Sequence, residues 1–180
     1  MACAVVLAAL LAWWLVRRPA PRPTPGPPTD ALASLDAKHG YLEGVELVRA
    51  NRSWQALPYF RHALALRPDL WQIHCDYAAA LLNSEIDVAR HRGILGPVSR
   101  SSWERAAGAR EAFQRFASAE TLAASPHDRA YVEHVRGTAL GAWGLAWDAI
   151  RDHRLAASAD PGRPELARSL SSLLAEMQMR

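Results

Sequence analysis

Several signals are scarce or missing in this chain. Lys38 is the only lysine, so its 21 basic residues are otherwise all arginine. There are two cysteines, Cys3 and Cys75. Two cysteines in this arrangement make no disulfide framework, and no CxxC pair is present. Cys75 alone reads as a small side chain buried or half-buried in a helix. The chain has no Gly-rich phosphate loop, no GxGxxG, no GxSxG elbow and no HExxH. No stretch alternates strictly between apolar and polar residues, and β-branched residues are few, which argues against strands. Excess charge is also missing where it would count. The formal net charge is +3. Residues 1–29 hold Arg17, Arg18 and Arg22 and no acid, leaving 18 basic and 18 acidic residues in 30–180. A neutral folded part lacks the clustered cations of a nucleic-acid footprint, so nucleic acid is not among the expected partners.

What is present begins with a segment apart from the rest. Residues 2–16 carry no charge and end at Trp13, Trp14, Arg17 and Arg18. At about 1.5 Å per residue this run gives roughly 22 Å of helix, against a hydrocarbon core of roughly 30 Å. Arginine snorkelling and local thinning can close that gap. The basic residues follow the apolar run, whereas a cleaved signal peptide carries them before it. Residues 1–18 are therefore expected to be an uncleaved single-pass anchor, with a secretory signal as the alternative, and membrane contact runs through residues 2–18. The positive-inside rule places the remainder of the chain on the cytoplasmic side of a bacterial-type inner membrane. The periplasmic side is the alternative. Six of the 12 prolines fall in residues 19–28. Residues 19–29 then form a Pro-rich linker, either a stiff polyproline spacer or a disordered one.

Residues 30–180 read as one helical domain. The stretch 53–69, SWQALPYFRHALALRPD, places Trp54, Leu57, Phe60, Ala63 and Leu64 at three- and four-residue steps, the pattern of one apolar helical stripe. Before it, Leu35, Leu42, Val45 and Val48 form a second stripe, and Asn51–Arg52 is the turn between them. Two such helices make an αα-hairpin, and neither hides its apolar face alone. The first stretch returns 93 residues later as 146–162, AWDAIRDHRLAASADPG, with Trp54 on Trp147, Ala56 on Ala149, Ala63 on Ala156 and Pro68 on Pro161. Repetition of a hairpin at fixed spacing is the mark of a stacked array. Between the copies, Asp69 and Gln72 form one candidate capping box and Ser101 and Glu104 another. Residues 92–100 break the period as an insertion. Ser125–Pro126 separates two helices, with Pro at a first helical position. The units fall at 37–70, 71–126 and 127–163, followed by a helix over 164–179 that caps the array.

These residues resemble the tetratricopeptide repeat, a helix–turn–helix unit. Its pattern of small and aromatic positions falls on Gly44, Leu47, Ala56, Phe60, Ala63 and Pro68, and again on Gly137, Leu140, Ala149, His153, Ala156 and Pro161. Gly40, Glu43, Glu133 and Arg136 depart from the early positions of that pattern, and His153 replaces its Phe. The resemblance implies an all-α fold: a short solenoid of about three hairpins plus the terminal helix, preceded by the N-terminal apolar helix. It assigns repeat packing to those residues together with Trp54 and Trp147. It also implies a concave groove lined by the first helix of each unit. By helical phase the groove residues are Lys38, Tyr41, Val45 and Val48, then Gln72, Cys75, Ala79 and Leu82, then Tyr131, His134 and Thr138.

No chemistry competes with binding. The seven histidines show no zinc-ligand spacing, and His127 and His134 share a face without a third ligand. Asp148 and Asp152 lie among Arg151 and Arg154 and read as surface ion pairs. The chain is expected to be no enzyme and to need no metal or cofactor. The function expected is a membrane-tethered adaptor that holds a segment of an unidentified protein partner in its groove. The alternative is a structural subunit of a membrane-associated complex, packing through its convex face or the 92–100 loop.

Overall fold

The structure is a computed structural model that describes residues 35–91 and 107–178, with side chains over 35–86 and 108–178. Among these residues it is all-helical, with seven α-helices and no strand. They are α1 (Ala37–Arg49), α2 (Ser53–Leu66), α3 (Trp71–His91), α4 (Ala107–Leu122), α5 (Pro126–Ala142), α6 (Ala146–Ala159) and α7 (Pro164–Gln178). The expected anchor, the Pro-rich linker, the 92–100 insertion and the Ser101/Glu104 cap lie outside the described residues.

Local signals set most boundaries. The Asp36 carboxylate accepts from His39 N at 2.8 Å and caps α1. Ser125 and Asp128 form a reciprocal capping box on α5, with Pro126 opening the helix where its missing N–H costs nothing. Asp69 does not cap α3 as its spacing suggests. The helix begins two residues later, at Trp71, and Arg67 holds the Asp69 carboxylate by two bonds of 2.8 Å. A bidentate guanidinium outcompetes a backbone N–H for that carboxylate.

The 93-residue repetition recurs in the backbone. After α1, Asn51 N donates to Val48 O and Arg52 N to Leu47 O. After α5, Gly144 N donates to Gly141 O and Leu145 N to Leu140 O. These are two Schellman motifs, each with its turn residue in the left-handed region, at φ 55° for Asn51 and 79° for Gly144. Asn and Gly are the residues that bear that conformation at least cost. The ends of α2 and α6 match as closely: Arg67 and Asp160 share φ −137°, and their N–H groups reach Ala63 O and Ala156 O. The match continues into α3 and α7, where Ile73 N meets Leu70 O and Leu166 N meets Arg163 O.

The helices pack as α1 on α2, α3 on α4 and α5 on α6, with α7 against α6. Across these pairs α1 touches α3, and α3 touches α5. The main core lies among α2, α3, α4 and α5 around Phe60, Tyr77 and Phe116, all fully buried. Each such side chain contributes about 1.5–3 kcal/mol by leaving water. A smaller cluster joins Ala130, Ala156 and Leu166. Gly44 and Ala56 are buried with Phe60 and Ala63; Gly137, Leu140, Ala149 and Ala156 are buried with His153. Leu47 and Trp54 are half-buried, while Pro68 and Pro161 are exposed in their turns. Two expectations are corrected. Leu42 is 46 % exposed rather than part of the buried stripe of α1. Trp147 is 75 % exposed, and the enclosed tryptophan is Trp143, whose Nε1 donates to Leu82 O of α3 at 3.0 Å.

Candidate functional site

The face where α1, α3 and α5 meet gathers the residues of interest. On α3 the half-buried Gln72, Asp76, Ala79 and Asn83, spaced four, three and four apart, form one stripe. Cys75 and Leu82 fall one residue away from it. One residue turns a helix by about 100°, and both are buried in the core, Cys75 at 0 % and Leu82 at 1 % exposure. They do not line an accessible surface, which corrects their placement from sequence. Burial also pushes the Cys75 thiol well above its ordinary range.

Asp76 is what helical phase alone missed. Tyr41 of α1 donates its hydroxyl to Asp76 Oδ2 at 2.6 Å. Burial raises the Asp76 carboxyl above its usual range, with Tyr41 and the more distant Arg49 opposing the shift. Burial and the Asp76 charge together push the Tyr41 phenol strongly upward. Tyr131 of α5 feels the same carboxylate, and with burial as the larger cause its phenol is pushed up to about 12. The Tyr131 ring meets Trp71 edge-on, with centroids 5.5 Å apart. The Asp76 charge thus acts on two tyrosines of different helices, Tyr41 by a direct hydrogen bond and Tyr131 without one. The signal in the sequence was present: Asp76 is the only acid in the first four turns of α3.

The remaining candidates divide. Lys38 and Thr138 are exposed, and the Thr138 hydroxyl donates to His134 O at 2.9 Å. Val45, Val48 and Ala79 are half-buried and rest on the core. Gln72 Oε1 is enclosed without a hydrogen-bond partner. His134 turns toward α6, its ring 5.2 Å from His153, and the Nδ1 atoms of both are enclosed and unpartnered. Burial lowers both imidazoles.

Beside this face lies a buried ion network. Asp152 of α6 is fully buried, not on the surface as its neighbours in sequence suggest. Arg136 of α5 donates to it from Nε at 2.6 Å and from a second nitrogen at 3.2 Å, and also pairs with Glu120 of α4. Arg151 adds a bond of 3.2 Å. The departure of Arg136 from the repeat pattern therefore has a structural use: one guanidinium ties α4, α5 and α6.

On the outer side of α6, Trp147, Ile150, Arg151, Arg154, Leu155 and Ser158 line a shallow open depression. Among the described residues no group of three or more His, Cys, Asp or Glu side chains is placed to hold a metal ion. None of the described helices is long and apolar enough to cross a membrane. No protein-family model matches the chain, and no curated protein matches it.

Proposed function

We propose that this chain is a membrane-tethered, tetratricopeptide-like adaptor whose helical hairpins stack as a short solenoid. Its first helices would hold a segment of a partner protein, without catalysis, metal or cofactor. The anchor over residues 1–18 and the linker over 19–29 hold the domain at a bacterial-type inner membrane, on its cytoplasmic face by the positive-inside rule or otherwise on its periplasmic face. Tethering raises the effective concentration of the domain for partners at that surface.

The observation that carries this proposal is the packing of α1 and α5 on α3, with Tyr41 of α1 bonded to Asp76 of α3 and Tyr131 of α5 resting on Trp71 of α3. Tyrosine supplies a rigid apolar body with a polar end, the kind of contact that protein interfaces favour.

The test is site-specific photocrosslinking in the membrane of the producing cell. A photoreactive residue replaces Lys38 or Thr138 on the groove face, or Leu155 on the outer face of α6. All three are exposed, so the fold is not disturbed. One protein captured from Lys38 and Thr138, and not from Leu155, supports the adaptor. Capture from Leu155 alone favours the alternative, a structural subunit using its convex side. Trp147 and Leu155, 75 % and 44 % exposed, are the observation that keeps this second reading in play.

A further inference from the structure

Half-buried carboxylates are costly to keep charged unless a cation or several hydrogen bonds compensate them. Among the described residues Asp152 meets Arg136 and Arg151, and Glu120 meets Arg136, whereas Glu133 keeps Oε2 enclosed and unpartnered. Asp76 meets no cation among the described residues. Its single protein hydrogen bond comes from Tyr41 and occupies Oδ2. Arg49 lies close enough to act on it, but that guanidinium is 71 % exposed and already paired with Glu46 at 2.7 Å. Trp71 of the same helix as Asp76 meets Tyr131 of α5, their rings edge to face. A half-buried carboxylate with one oxygen bonded by Tyr41 and no cation of its own is complementary to a positive group through an ion pair. It is a poor seat for an anion, which the Asp76 charge repels, and a costly seat for an apolar group, which would bury it without a cation.

We infer that Tyr41, Asp76 and Tyr131 form a receptor for one basic side chain, Lys or Arg, presented by the segment that docks across α1, α3 and α5. This inference rests on the groove proposed above and adds the chemistry of its occupant. Tyr41 is a positioning residue: its hydroxyl fixes one carboxylate oxygen. The exposed Lys38, one turn earlier on α1, sets polarity by repelling a second cation at that end.

The experiment uses the full chain in mild detergent and a displayed library of random-sequence peptides. Selected peptides should share a Lys or Arg at one position. Replacing that residue by norleucine should weaken binding about tenfold or more, as expected for removing one member of a desolvated charge pair. Asp76→Asn keeps the shape and the bond from Tyr41. It should bind the basic and norleucine peptides alike, so that the two changes are not additive. Thr138→Trp, which fills the groove from an exposed position, identifies peptides bound there. Peptides blocked by Thr138→Trp but indifferent to norleucine, or equally discriminated by Asp76→Asn, overturn the cation receptor and leave the groove standing. Failure to select any peptide, or peptides that ignore Thr138→Trp, brings down the groove and the receptor with it. If Asp76→Asn loses its helical circular dichroism, the norleucine comparison on the native chain decides alone.

Discussion

Gly44 lies directly beneath Phe60: a Cβ at that glycine would stand 2.8 Å from the ring, inside any real contact. Phe60 is fully buried and cannot yield. Gly44→Ala should therefore destabilise the domain by about 1–3 kcal/mol, the usual range for overpacking. Gly40, one turn away, has only ordinary contacts at 3.5 Å. Gly40→Ala should raise stability by about 0.5–1 kcal/mol through helix propensity. Urea unfolding of the two variants in detergent measures both, and the opposite signs are the expected result.

Arg136 and Asp152 give a second expectation. Removing the guanidinium leaves a fully buried carboxylate with only the exposed Arg151 to face it. Arg136→Met should cost about 3–5 kcal/mol, and adding Asp152→Leu should restore much of it, because an apolar pair needs no compensation. A double-mutant cycle in urea checks this; equal, additive losses would contradict it.

The pair His134 and His153 makes stability depend on pH. Burial is the first cause lowering both imidazoles, and a charge on His134 lowers His153 further. The folded protein therefore binds protons less readily than the unfolded chain. Both rings are neutral in both states well above the unfolded value of about 6.5. Below it the unfolded chain gains protons first, so stability falls with pH until the folded rings also charge. His153→Phe should remove part of this slope, since Phe60 already occupies the equivalent place above Gly44. Thermal midpoints of the two proteins at pH 7 and pH 5 test it. The variant should lose less on acidification.

Two tryptophans four residues apart should respond in opposite ways. Trp143 is 6 % exposed and bonded to Leu82 O, so Trp143→Phe loses a buried hydrogen bond and packed ring atoms and should cost about 0.5–3 kcal/mol. Trp147→Gln should change stability by less than about 0.5 kcal/mol, as surface changes generally do. The same urea series separates them.

The helices, both hairpin turns and the repeated spacing are readable in the chain because each depends on nearby residues: a cap, a stop, a stripe at three and four. Asn51 and Gly144 differ as residues yet hold the same turn, so even that equivalence follows from local backbone preference. What escapes a reading by residue is set from a distance. Asp152 looks solvated beside Arg151 and Arg154, but its partner Arg136 belongs to the preceding helix. Cys75 and Asp76 differ by one position, and only the neighbours of α3 decide which of them is buried in the core and which is half-buried. Trp54 and Trp147 align in sequence, yet one is half-buried and the other exposed, because surroundings are not repeated with the residues.

The matched backbone junctions have a consequence for construction. Leu70 leads into α3 as Arg163 leads into α7, through the same hydrogen bonds. Residues 71–163 therefore begin and end at interchangeable joints. A chain with a second copy of that block inserted after Arg163 would contain one new peptide, Arg163–Trp71, at a backbone junction the protein already uses. In such a chain the first Trp147 would acquire following helices of the kind that succeed Trp54, and its fluorescence should move to the blue. The block is in this sense bounded by one backbone junction used twice.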